Sequence, residues 1–111
     1  MKAFIAITLF GILMIASLGN GVAADGAANW NHNCASCHGK DGKGDTAMGK
    51  KLGVKDYHDA KVQAAFSDPE MERAIKEGVK TNGKETMKPF GNKLSNADIK
   101  ALVAYIRSFK K

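Results

Sequence analysis

Two cysteines occur in this chain, and both lie in one pentapeptide, Cys34-Ala35-Ser36-Cys37-His38. Two thiols at this spacing, followed directly by an imidazole, can each add to a vinyl group of one haem while the histidine reaches its iron. Such a histidine binds as neutral imidazole, with iron on one ring nitrogen and a hydrogen-bond acceptor on the other. Other chemistries use the same pair of thiols. A thioredoxin-like site wants a preceding strand and a βαβ pattern around it, and neither is evident. A zinc site needs about four ligands, and only His32 and His58 remain to complete one. Haem attachment leads, and a thiol–disulfide site and a metal site stay open as alternatives.

A second ligand is offered by Thr86-Met87-Lys88-Pro89-Phe90, which presents a thioether in a short polar stretch held by a proline. Methionine ordinarily fills gaps in cores. Residues 78–83, however, are too polar to need a core filler, and Met87 is far enough from His38 to return from the opposite haem face. Met87 is therefore expected as the sixth iron ligand. Met48 and Met71 are the competing candidates, and Met71 falls in a helical pattern. Iron held by histidine and methionine has no vacant position, so it exchanges an electron instead of binding a substrate.

Export is the next expectation. Lys2 is followed by an apolar run over residues 3–18 and by small residues up to Ala24. That is the pattern of a secretory signal peptide, with cleavage near Ala23 or Ala24 and a single domain over residues 25–111. The run is shorter than the roughly 20 residues of a comfortable membrane span, and an uncleaved membrane anchor is the alternative. An oxidising compartment would close a bare cysteine pair into a disulfide, whereas thioether attachment removes both thiols. Losing Lys2 lowers the formal charge from +6 to +5. That balance favours acidic partners. Spread lysines without a recognised binding module argue against nucleic acid. A domain this small is marginal on an apolar core alone, and a covalently held haem would complete it.

Helical signals dominate the exported part. Asp25 can cap a short helix running to Asn33, where Ala27, Trp30 and Cys34 recur on one side. A glycine-rich, charged loop follows His38. Tyr57 is read as packing or as a donor to a haem propionate, and His58 as a surface histidine. Ser67-Asp68-Pro69-Glu70 opens a second helix with a capping box, and Met71, Ala74, Ile75 and Val79 supply its inward face. Ser95 and Asp98 repeat that box ahead of the last helix, whose Ile99, Leu102, Val103 and Ile106 form one apolar stripe. No strand-like alternation is apparent.

From Gly26 onward, with Cys34 to Gly39 reading CxxCHG and a methionine loop downstream, the chain resembles the class I c-type cytochromes of the short bacterial, cytochrome c6-like kind. The resemblance implies an all-α fold, with three main helices and loops wrapped around one covalently attached haem c. It also implies that Gly26 and Trp30 lie where the first and last helices cross, with Leu102 and Tyr105 packed on the first. Two departures stand out. The family's Met-Pro is here Met87-Lys88-Pro89-Phe90, and no proline stands between His38 and Pro69. A carbonyl within residues 43–53 is then expected to accept the His38 ring proton. The implied function is that of a soluble, monomeric periplasmic carrier, not an enzyme. It would move one electron at a time from a membrane-associated donor to a terminal acceptor. Its partners would be redox proteins with acidic docking surfaces, and no small-molecule substrate is expected. The alternatives are a peroxidase or a gas or redox sensor, should the methionine be labile, and an electron-entry subunit of a larger complex.

Overall fold

The computed structural model describes residues 26–111. The expected signal peptide, residues 1–24, lies outside the described residues. Helical residues 26–29 pass into a π-helical turn, Trp30–Cys34, and on into α1, Ala35–His38. The first helix thus runs through the CxxCH motif instead of stopping before it. Nothing in Ala35-Ser36-Cys37 breaks a helix, and the chain turns out only at Gly39, with φ 82°.

The remaining elements are α2 (Ala47–Leu52), α3 (Ala60–Ala65), α4 (Asp68–Glu77), β1 (Val79–Thr81), β2 (Lys84–Met87) and α5 (Asn96–Ser108). Among the described residues helices dominate, as the all-α reading requires. The expected Asp25 cap lies outside the described residues, and the Ser67 and Ser95 caps are present. The Ser95 hydroxyl accepts from the Asp98 N–H at 3.1 Å, and the Asp98 carboxylate accepts from the Ser95 N–H at 3.0 Å. At α4 the Ser67 hydroxyl accepts from Glu70 N–H at 3.2 Å, but the Glu70 carboxylate bonds back to that hydroxyl, not to the backbone. Only half of that box is closed.

α5 is the spine of the core. Its buried face, Ile99, Leu102, Val103 and Ile106, meets Trp30 and Cys34 of the first helix, Met71 and Ile75 of α4, and Phe90 and Leu94. The crossing with the first helix is close because Gly26 has no side chain: a Cβ there would stand 2.8 Å from the Ala101 carbonyl oxygen. Leu102 is wholly buried at 0% exposure, which is worth roughly 1.5–3 kcal/mol.

Two features depart from the sequence reading. Residues 79–87 form an antiparallel hairpin, with Val79 opposite Met87 and Lys80 opposite Glu85. Its turn is Asn82-Gly83, with φ 53° and 79°. This is the dipeptide that two-residue hairpin loops favour, because both positions need positive φ. Val79 therefore leaves the α4 face and is exposed in β1.

The other is Gln63 of α3, a buried polar side chain at 3% exposure. Its amide donates to the carbonyls of Tyr57 (2.7 Å) and Ile106 (2.9 Å), and its oxygen accepts from Arg107 at 3.1 Å. Arg107 also donates to the Phe66 carbonyl at 2.6 Å and to Asp68 at 2.8 Å. One guanidinium thereby ties α3, the α4 cap region and α5 together. Arg107→Ala should lower the stability of the haem-loaded protein by about 1–3 kcal/mol, read as a lower thermal midpoint with an unchanged absorption spectrum.

Candidate functional site

Cys34, Cys37 and His38 project from the end of the first helix, Cys34 about one turn before the adjacent Cys37 and His38. Cys34 is 8% exposed and Cys37 half-buried, and both are free thiols. The end of this helix is held by the loop that follows. Gly39 N–H donates to the Ala35 carbonyl at 2.9 Å, Gly44 N–H to His38 at 2.7 Å, and the Thr46 hydroxyl to Cys37 at 2.6 Å. Thr46 also caps α2 by accepting from Gly49 N–H at 2.8 Å. Gly49 must lack a side chain, since a Cβ would run into the Cys37 carbonyl. The Trp30 indole donates to the Gly39 carbonyl at 3.0 Å and closes the loop from the other side.

The His38 ring packs against two aromatics that also meet each other, Trp30 and Tyr57, whose centroids are 6.2 Å apart. Its centroid is 5.4 Å from Trp30 and 5.4 Å from Tyr57, with Tyr57 stacked at 21°. Burial holds the His38 pKa below the ordinary imidazole value, so the ring is neutral at pH 7. Burial, and after it the neighbouring Cys37, pushes the Cys34 thiol up to about 11. Burial and then Cys34 likewise raise Tyr57, whose phenol stays protonated.

The expected carbonyl acceptor for His38 is not found. Nδ1 is buried with no hydrogen-bond partner. Residues 43–53 approach this turn with donors, Gly44 N–H and the Thr46 hydroxyl, which are spent on the carbonyls of the helix end. His58 is also not a surface residue. It is half-buried, its Nε2–H donates to the Asp41 carbonyl at 2.6 Å, and its own carbonyl accepts from Lys111 N–H at 3.2 Å. It pins the glycine loop to the C-terminal residues, and Phe109 lies 5.8 Å from its ring. In sequence its polar neighbours Asp56 and Asp59 give it the look of a solvated histidine.

The methionines separate clearly. Met71 is a core residue of α4 at 8% exposure, and Met48 stands 46% exposed on α2. Met87, the last residue of β2, is half-buried and packs against the cluster that contains Trp30 and Cys34. Its backbone sits at the end of α4: a Cβ on Gly78 would lie 2.6 Å from the Met87 carbonyl oxygen.

These residues fit a covalently held haem. The donor set is soft sulfur with imidazole, and burial keeps that imidazole neutral, the form in which it binds iron. The zinc alternative fails, because among the described residues no three His, Cys, Asp or Glu side chains converge on one point.

A family model described as cytochrome c oxidase, cbb3-type, subunit III, matches residues 21–106. Among solved structures, the KustC0563 c-type cytochrome is 40% identical and superposes with a TM-score of 0.71, over 78% of this chain and 99% of its own. A tyrosine-to-phenylalanine mutant of the same protein, also 40% identical over 78% of this chain and 99% of its own, gives a TM-score of 0.68.

Proposed function

The chain belongs to the small class I c-type cytochromes, haem proteins that transfer electrons, and from that premise we propose that it is a periplasmic one-electron carrier with a single haem. When bound, the haem supplies reversible exchange of one electron at its iron. Cys34 and Cys37 would hold it through thioethers, neutral links that suit the buried position of Cys34. His38 would give the iron a neutral ring nitrogen, and Met87 would give it the thioether sulfur.

The observation that carries this reading is the placement of Met87. Among the described residues it is the half-buried methionine, packed on the same core as the cysteine-bearing helix, while Met71 is buried in helix packing and Met48 faces outward. Two protein ligands leave no open coordination position, which favours a carrier over a peroxidase or gas sensor. Methionine as second ligand raises the potential relative to a second histidine. Every lysine among the described residues is exposed, and this favours redox partners with acidic docking faces, met faster at low salt.

Absorption spectra of the haem-loaded protein test the assignment. The wild type should show a far-red sulfur–iron charge-transfer band when oxidised and no carbon monoxide adduct when reduced. Met87→Ala should lose the band and take up carbon monoxide. A wild type that lacks the band and binds carbon monoxide would return the peroxidase and sensor readings to the front. The description of the matching family model supports a second reading, an electron-entry subunit docked on an oxidase. Fractionation decides between them: a carrier leaves the cell with the periplasmic fluid, whereas a subunit stays with the membrane complex.

A further inference from the structure

The segment that carries Met87 is fastened at two places, and each fastening meets the C-terminal end of α4 or its continuation. The Phe90 and Gly91 N–H groups donate to the Ile75 and Lys76 carbonyls at 2.9 and 3.1 Å. These are carbonyls that a helix end otherwise leaves unpaired. β1 pairs with β2, setting Val79 opposite Met87, and the Thr86 hydroxyl donates to the Val79 carbonyl at 3.3 Å. Between these two ties stands Gly78, with φ 77° and ψ −179°, a conformation open essentially to glycine alone. A Cβ there would meet the Met87 carbonyl oxygen at 2.6 Å, the Pro89 nitrogen at 2.9 Å and the Lys88 carbonyl carbon at 3.1 Å. All three are backbone atoms, so no side chain can swing aside to make room.

We propose that Gly78 is a positioning residue for Met87, and that the end of α4 with the hairpin forms a clasp that sets how often this methionine leaves the iron. This role rests on the assignment of Met87 as axial ligand and extends it to residues that never touch the haem. Gly78 lets the helix end and the methionine strand lie backbone against backbone. The Asn82-Gly83 turn holds the strand in register. Pro89 and the buried Phe90 keep the segment from sliding.

Imidazole binding to the oxidised, haem-loaded protein reads this property directly. An external ligand binds only when the methionine is off, so its apparent affinity scales with the fraction of open iron. Gly78→Ala should raise imidazole affinity by about tenfold or more, and Gly83→Ala by about threefold, since strain in the turn loosens the clasp without a collision. Gly53→Ala is the control. It places a side chain in left-handed backbone at the end of α2, where φ is 69°, ψ is 35° and nothing lies within 4 Å, and it should lower the thermal midpoint while leaving imidazole affinity at the wild-type value. Should Gly78→Ala fail to retain haem, Gly83→Ala carries the test. Wild-type affinity in both hairpin variants, with Met87→Ala wide open, overturns the clasp and leaves the ligand assignment standing. An equal rise in Gly53→Ala also overturns it, because general loosening would then account for the effect. A far-red band that survives Met87→Ala overturns the ligand assignment, and the clasp with it.

Discussion

Cys34→Ser combined with Cys37→Ser is expected to abolish both haem retention under denaturing conditions and the cooperative fold. The two thiols sit on one helix that crosses α5, and Cys34 belongs to the buried cluster itself. The apolar core around α5 is small, and domains of this size seldom stand without a staple or a bound group. Binding that occurs only in the folded state is folding free energy. The variant should have the mass of the bare polypeptide, no haem signal on a denaturing gel, and weak helical circular dichroism without a sharp thermal transition. Native helicity and a wild-type thermal midpoint in that variant would show that the polypeptide core suffices, and that the attached group is not needed for folding.

The second large effect is Leu102→Ala. Leu102 is fully buried where α5 faces Trp30. Removing its branched end loses the transfer energy of the missing carbons and leaves a cavity, together about 2–5 kcal/mol. For a domain of this length that corresponds to a fall of roughly 10–30 °C in thermal midpoint. The far-red band and the ligand set should be unchanged below the transition, since the side chain is a packing residue and bears on no ligand. A loss below about 1 kcal/mol would mean that α5 and the first helix close over the gap. The Gly26–Ala101 contact makes that closure hard, because the two backbones already meet there.

What is legible in the sequence is whatever depends on local chemistry. The Ser95–Asp98 box and the apolar stripe of Ile99, Leu102, Val103 and Ile106 each act over a few residues, and each is found in place. Family resemblance puts Gly26 and Trp30 at the helix crossing, and Gly26 indeed lies on Ala101. Contacts between distant residues are not legible. Gln63 looks like an ordinary surface glutamine until Tyr57, Ile106 and Arg107 surround it. His58 is half-covered by a C-terminal segment some fifty positions away in the chain. The hairpin is a different case. Its Asn82-Gly83 signal is present, but the strands are too short and too polar for an alternating pattern, and cross-strand pairing supplies what periodicity cannot. The acceptor expected for His38 is not found: residues 43–53 meet the helix end with donors, the Gly44 N–H and the Thr46 hydroxyl, an orientation that no local pattern records.

The π-helical turn at Trp30–Cys34 makes chain length itself a constraint. Its signature is the Ala35 N–H reaching back to the Trp30 carbonyl, so the turn holds one residue more than an α-turn. An α-helix advances about 100° per residue. The extra residue therefore rotates Cys34, Cys37 and His38 by roughly that angle relative to the face bearing Gly26 and Trp30. The contact that fastens the helix to α5 and the groups at its end are thus indexed to one another by a count. Deleting a single residue between positions 30 and 34 would leave every chemical group intact and aim all three in the wrong direction. When relatives of this chain are aligned, the number of residues from the aromatic to the first cysteine carries as much information as the motif.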